Sequence, residues 1–221
     1  NIETFDLKKI NKEKLYTFLR EMEFNRLLSQ TVANYGEPKT EVFQIPEKYE
    51  KINTKEYVTL KKIEDLESWI KLAKEHGEIA VDTETNSVDP HKAELVGISL
   101  CVKPGKACYI PLKHSSEKTL NKEKVLEKLK PLFEDNSIKK IGQNIKYDYI
   151  VLFRQGITLN PTEDTMLMSY ALDAGNHRHN MDYLSEIHLE HKTITYKDVV
   201  GIGKNQISFN QVPISRATEY S

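Results

Sequence analysis

The stretch Gly77–Asp89, "GEIAVDTETNSVD", drives an apolar triplet, Ile79-Ala80-Val81, into two carboxylates one residue apart, Asp82 and Glu84. A run of this kind after a glycine reads as a buried strand. Side chains alternate across a strand, so residues two apart share a face. Asp82 and Glu84 therefore stand side by side at the end of a strand that belongs in a core. Like charges this close repel, and burying them is costly unless something positive lies between them. Asp-x-Glu alone is a weak signal. Its plain reading is a solvated strand end, and its sharper one a catalytic or metal-binding pair.

The segments around it predict a mixed α/β domain starting near Tyr57. "YVTL" is a short strand, and "IEDLESWIKLAKEHG" is a helix with Leu66, Trp69, Ile70 and Ala73 on one face and Gly77 as its stop. Beyond the acidic pair come the strands "ELVGISLCV" and "KACYIPL", joined by the turn "KPGK". A helix spans about Lys122 to Phe133, with Val125, Leu126, Leu129 and Phe133 inward and Pro131 bending its end. "IKKIGQN" is a short strand leading into the helix "IKYDYIVLFRQG", and "EDTMLMSYALDAG" and "MDYLSEIHL" are further helices. Early strands followed by strand–helix alternation fit a mixed sheet with helices against it.

Upstream, "NKEKLYTFLREMEFNRLL" puts Leu15, Phe18, Leu19 and Met22 on one helical stripe, with Asn11 as N-cap. Residues 29–56 are polar, carry Pro38 and Pro46 and show no sustained period, which reads as a linker. The first helix has nothing nearby to bury against and looks like the end of a preceding domain. With 221 residues the chain can hold one good-sized domain plus extras. Its formal net charge of −1 gives no general pull toward nucleic acid or membrane. Any nucleic-acid substrate must be held by local chemistry.

Cys101 and Cys108 fall on neighbouring strands without zinc-ligand spacing and read as reduced core thiols. His177 and His179 lack further ligands at zinc spacing and read as solvated loop residues. "GIGKN" at Gly201 lacks the spacing and strand context of a phosphate-binding loop. No apolar run approaches a membrane span and no signal-peptide pattern opens the chain, so the cytoplasm is the expected location.

In "GQNIKYDYIVLF", Asn144 and Asp148 are four apart and face the same way on a helix. Gln143 and Asn144 fall at a strand-to-helix junction, where strand ends open onto a cleft. Asn144 as an N-cap and Asp148 as an acid favoured by the helix dipole explain both without function. "VPISRATEYS" starts a helix at Pro213, and Tyr220 on it is a core aromatic by default. What raises a shared site is the ensemble: Asp82 and Glu84 on a strand, Asp148 on a later helix, Tyr220 on a final one.

Through "VDTETNSVD", "ELVGIS", "YIPLKH", "IGQNIKYD", "DTMLMSY", "HKTITY" and "GKNQISFNQ", the chain from Tyr57 to Ser221 resembles the proofreading 3′→5′ exonuclease domain of bacterial family A DNA polymerases. "FLREMEFNRLL" resembles the end of the 5′-nuclease domain that precedes it. The resemblance implies a 5′-nuclease tail over residues 1–28, a linker over 29–56 and an exonuclease domain over 57–221. The fold it implies is α/β and ribonuclease H-like, a mixed β-sheet flanked by helices. The activity it implies is metal-dependent removal of nucleotides from a DNA 3′ end. Asp82, Glu84 and Asp148 match its metal-binding carboxylates, with Asp82 bridging two divalent ions, Mg2+ or Mn2+. Tyr220 matches the tyrosine that orients the attacking water. Val88 falls where an apolar side chain wedges against the terminal base, and Gln143, Asn144, Tyr147, Arg178 and Tyr196 fall near the bound end. The implied partners are a single-stranded DNA 3′ end and the polymerase and 5′-nuclease domains of the same polypeptide, in a monomer associated with the nucleoid.

The chemistry agrees. A phosphodiester repels hydroxide, and two ions about 3.5–4 Å apart stabilise both the entering and the leaving oxygen. Mg2+ and Mn2+ prefer hard oxygen ligands, which three carboxylates supply. Such ions would also neutralise the pair that the strand pushes together. The family's third motif is Tyr-x-x-x-Asp, and its Asp would fall three residues past Ser221. This sequence is therefore expected to bind metal more weakly than the complete motif. Two other readings stand beside this one. A ribonuclease D-like enzyme acting on RNA 3′ ends would be expected to show more basic surface. A catalytically idle structural domain of a polymerase fits poorly with three carboxylates retained.

Overall fold

Asn11 begins the first helix as its side chain predicts: Oδ1 accepts from the Lys14 N–H at 3.1 Å and starts α1, Lys12–Glu21. In the computed structural model, which describes residues 10–22, 24–36, 57–115 and 117–221, α1 is followed by a separate helix α2, Asn25–Tyr35. One continuous helix was expected here, and the stripe Leu15, Phe18, Leu19, Met22 is not the buried one. Tyr16 and Leu19 turn inward, whereas Phe18 and Met22 are half exposed. The second helix supplies the surface that the first was expected to lack. Lys12 Nζ donates to the Tyr35 carbonyl at 2.6 Å, and the Tyr16 hydroxyl donates to that of Gly36.

α2 also enters the stretch read as linker. Its hydroxyls explain why a polar segment can be helical: Ser29 and Thr31 each donate to the carbonyl four residues back. The rest of the expected linker, residues 37–56, lies outside the described residues. The chain divides into two compact units, Asn1–Tyr49 and Glu50–Ser221.

In the second unit, strand β1, Val58–Thr59, precedes helix α3, Asp65–His76, which buries Leu66, Trp69 and Ala73 and stops at Gly77 in a left-handed conformation, φ 74°. Strands β2 (Glu78–Thr85), β3 (Leu95–Lys103) and β4 (Lys106–Pro111) follow as expected. Asn121 caps helix α4, Lys122–Phe133, whose expected inward residues are all buried, with Leu132 beside them. Strand β5 is Lys139–Gly142, and helix α5 is Lys146–Phe153. The segment from Glu163, expected as helix, first adds strand β6, Thr162–Asp164; helix α6 starts only at Thr165 and ends at Asp173. Helix α7, Met181–Leu189, has the expected bounds, whereas α8, Tyr196–Val200, was not anticipated. Helix α9, Ile214–Tyr220, begins after Pro213.

The sheet is six-stranded and mixed, in the order β1-β4-β3-β2-β5-β6. The β2, β3 and β4 strands form an antiparallel meander, while β5 and β6 join it parallel to β2. Side-chain alternation gives each face its own core. Ile79, Val81, Ile98, Leu100 and Ile110 pack against α3, α4 and α5. Tyr109 faces the other way, with Val200 of α8, Phe209, Val212 and Ala217 of α9. No helix among the described residues is long and apolar enough to cross a membrane.

Lys140, inside β5, has no solvent exposure, and its ammonium donates to three carbonyls, those of Asp135 and Ile138 at 2.7 Å and of Asn160 at 2.6 Å. It ties the loop before β5 to the loop before β6. Lys140→Met keeps the apolar stem but leaves these carbonyls without a donor, at about 1–3 kcal/mol for each that stays unpaired. The expected result in a thermal melt is a Tm lower by roughly 5–15 °C, at about 2–4 °C per kcal/mol for a chain of this size.

Candidate active site

Along β2 the alternation is complete: Ile79, Val81 and Thr83 point into one core, so Asp82 and Glu84 share the opposite face. That face lines a cleft of about 300 Å³ together with Ser99, Gln143, Tyr220 and Ser221. An adjoining groove of about 910 Å³ is walled by apolar side chains of α6 and α7, among them Met168, Leu172, Met181 and Leu184.

Asp148 reaches the site through a split in the sheet. The parallel pairing of β2 with β5 ends at Ala80 and Ile141, after which β5 turns away into α5. Thr83 then has a free strand N–H, and the Asp148 carboxylate takes it: Oδ1 accepts from the Thr83 N–H at 2.8 Å and from its hydroxyl at 2.5 Å. Asn144 does not share a helical face with Asp148. It stands outside the helix at φ 58°, and it is exposed, with no side-chain bond capping α5. The residue that pins this turn is Asp164. Its carboxylate accepts from the Asn144 and Ile145 N–H groups, both at 3.0 Å, and also caps α6 through Met166 at 2.9 Å. An Asp immediately before a helical pattern was the available signal for it.

Helix α9 brings Tyr220 and Ser221 over the acidic face. Thr218 on α9 shares a 2.6 Å hydrogen bond with Thr59 of β1, and Ser221 Oγ donates to Glu84 Oε1 at 2.8 Å. The entry to α9 is fixed by a chain of contacts that starts under Glu84. Gly97 pairs with Glu84 across the β2–β3 ladder, and a Cβ there would stand 2.1 Å from the Tyr109 hydroxyl, so only glycine leaves the phenol its place. Tyr109 meets His114 Nε2 at 2.8 Å, and His114 Nδ1 lies 2.8 Å from the Val212 carbonyl. A carbonyl only accepts, so Nδ1 carries the proton and Nε2 accepts from Tyr109. Burial lowers the pKa of His114 and favours this neutral form.

The electrostatics follow from the crowding. Asp82 keeps partial exposure yet is surrounded by protein, and desolvation, then Asp148 and Glu84, hold its pKa well above the usual carboxylate range. Desolvation lifts Glu84 to about 7, against the lowering effect of the Ser221 hydrogen bond. Burial lifts Asp148 to about 6, although the Thr83 hydrogen bonds oppose it. Tyr220 is pushed up by burial and by the charges of Glu84 and Asp82, so its phenol keeps its proton at neutral pH. Among the described residues, no three His, Cys, Asp or Glu side chains converge closely enough to enclose a cation as they stand. One oxygen each of Glu84 and Asp148 is already hydrogen-bonded. The donor set is nevertheless all hard oxygen, and its excess negative charge is what a divalent cation relieves.

The other predicted contact residues fall into two groups. Tyr196 stacks on Phe209, with centroids 6.4 Å apart, and its ring is 6.3 Å from that of Tyr220. Tyr147 holds the loop after β2 through the Thr85 hydroxyl and the Ser87 carbonyl, and Val88 on that loop is 93% exposed. Gln143 lines the cleft, but its amide is engaged with the His179 carbonyl at 2.7 Å and the Thr165 hydroxyl at 2.5 Å. Arg178 is exposed in the segment before α7 and is not among the cleft-lining residues. His177 and His179 are half-buried rather than solvated: their rings lie 4.8 Å apart, His177 stacks on Tyr183, and His179 meets Tyr170 edge-on.

A mixed sheet with helices on both faces is the architecture of ribonuclease H-like 3′→5′ exonucleases. The RNase D of Trypanosoma brucei shares this fold at a TM-score of 0.53 and 18% identity, over 64% of this chain and 50% of that one. Residues 57–221 match the 3′-5′ exonuclease family of A-type DNA polymerases, and the chain belongs to that family. It is similar to the DNA polymerase I of Rhizobium leguminosarum, with 42% identity over 185 residues, covering 75% of this chain and 18% of that protein. The DNA polymerase I of Pseudomonas aeruginosa is also 42% identical, over 161 residues, 70% of this chain and 18% of the relative. The chain thus spans about a fifth of the length of these relatives.

Proposed function

We propose that this chain hydrolyses phosphodiester bonds at single-stranded DNA 3′ ends with two divalent cations, Mg2+ or Mn2+, held by Asp82, Glu84 and Asp148. The observation that carries the reading is the crowding of three buried or half-buried carboxylates with raised pKa values, with no basic side chain among the residues lining the cleft of Asp82 and Glu84. Bound there, the cations would supply charge stabilisation for the entering and leaving oxygens. Asp82 and the free oxygens of Glu84 and Asp148 would be the protein's share of their ligands. Tyr220, protonated at neutral pH, orients the attacking water by hydrogen bonding without giving up its own proton. The exposed Val88 packs against the terminal base, and Tyr196 and Tyr147 border the splayed end, gripping it by stacking rather than base readout. Gln143 and Asn144, at the strand-to-helix turn, contact the bound end, and Arg178 does so further out.

The chain is read as part of a longer polypeptide that carries polymerase and 5′-nuclease domains. Residues 1–28 form the tail of the 5′-nuclease domain, and residues 29–56 form the link. The whole is a monomer working at the nucleoid in the cytoplasm.

The test is a gel assay on 5′-labelled single-stranded DNA and on RNA of the same sequence, with Mn2+, Mg2+ or EDTA. Stepwise shortening of the DNA from its 3′ end in either metal, and none in EDTA, is the expected outcome. Preferential shortening of the RNA would favour the ribonuclease D-like reading, and a folded chain that shortens neither would overturn the proposal. Tyr220→Phe is expected to slow the reaction about 10–100-fold.

A further inference from the structure

We propose that Ser99 is a positioning residue for Asp82: its hydroxyl donates to that carboxylate in the cation-loaded state and so sets its orientation. The inference rests on the cation-binding reading above and adds a residue to it. Ser99 lies directly opposite Asp82 in the antiparallel β2–β3 ladder. Directly opposed residues share a face of the sheet, with Cβ atoms about 4.5–5.5 Å apart, within reach of a serine hydroxyl and an aspartate oxygen. Both residues line the same cleft.

Two complementary gaps in the hydrogen bonding point the same way. Among the described residues, Ser99 Oγ is the one buried side-chain polar atom without a hydrogen-bond partner, and the residue is only 8% exposed. Buried hydroxyls are normally paired, and an unpaired one calls for a reason. Of the three carboxylates, Glu84 is held by Ser221 and Asp148 by Thr83. No side chain among the described residues donates to Asp82. The neighbours that could compete for Ser99 are already engaged: Tyr109, its partner on the other side in β4, donates to His114. Carboxylates that ligate metals are generally held by a donor outside the metal's own shell. Ser99 is the unengaged donor next to the unheld carboxylate.

The experiment is a calorimetric titration of the 221-residue chain with Mn2+, for wild type, Asp82→Ala and Ser99→Ala, with a thermal melt of each in EDTA. Ser99→Ala is expected to weaken Mn2+ binding about 10-fold or more. Its Tm in EDTA is expected to equal or exceed that of wild type, because alanine removes a buried hydroxyl with no partner. A hydroxyl with a merely structural role would instead lower the Tm in EDTA. Mn2+ affinity within twofold of wild type, or a lowered Tm in EDTA, overturns the inference while Asp82→Ala still reports on the site. If wild type binds Mn2+ no better than Asp82→Ala, the cation-binding reading itself falls, and this inference falls with it.

Discussion

Asp82→Ala is expected to abolish 3′-end hydrolysis while leaving the domain folded and, in EDTA, at least as stable as wild type. The two effects have opposite signs because Asp82 is unfavourable to the fold and needed for the site. It is crowded by Asp148 and Glu84, and burial holds its pKa well above the usual range, so the metal-free protein gains nothing from its charge. A cation shared through Asp82 would contribute several kcal/mol of transition-state stabilisation, and each 1.4 kcal/mol is tenfold in rate. The expected loss is therefore about a thousandfold or more. A single-turnover assay beside a melt in EDTA reads both quantities. Hydrolysis at the wild-type rate would remove Asp82 from the site, and a collapse of the melt would recast it as a structural residue.

The second large effect is a dependence of stability on pH that reverses when metal is added. Glu84 titrates at about 7 and Asp148 at about 6 in the folded chain, against ordinary values near 4 when unfolded. A carboxylate whose pKa is raised by folding holds its proton more tightly in the folded state. It contributes stability that is fully present below about pH 4 and is lost as the pH rises to about 7. The Tm in EDTA is therefore expected to fall by roughly 10–20 °C over that window. Divalent cations compete with those protons, so the rise in Tm that they cause should be small near pH 5 and full above pH 7. Scanning fluorimetry from pH 4 to 8, with and without Mg2+ or Mn2+, measures both limbs. A flat profile in EDTA would mean that the three carboxylates are not crowded in solution. Glu84→Gln, which removes the highest of the quoted pKa values, is expected to flatten the upper part of the slope.

Much of the frame was legible from local pattern. Helix α3 and helix α4 announced themselves by apolar spacing, and β2, β3 and β4 by apolar runs bounded by turn residues. What local pattern missed was short or internally satisfied. Strand β6 is Thr162–Asp164, too short to alternate visibly before α6 takes over the same apolar run. Helix α2 carries polar residues whose hydroxyls bond back along the helix, so no apolar stripe marked it. Asn144 looked like a cap, but α5 has no side-chain cap; Asp164, the cap of α6, pins the turn before α5, and an Asn at positive φ suits a tight strand-to-helix turn.

The site divides in the same way. The shared face of Asp82 and Glu84 was determined by sequence alone, because the period of a strand is two residues and the triplet before them had to be buried. The place of Asp148 was decided by the tertiary structure. It depends on β5 parting from β2 after Ala80 and leaving the Thr83 N–H to a carboxylate from the next helix. The same holds for the residues around the acids. Ser99 opposite Asp82, Gly97 beneath the Tyr109 phenol, and His114 tied to Val212 at the entry to α9 are set by strand register and by contacts up to 98 residues apart along the chain. Local periodicity tells which face a side chain takes. Only the pairing of strands and the packing of helices over their ends tells which side chain it meets there.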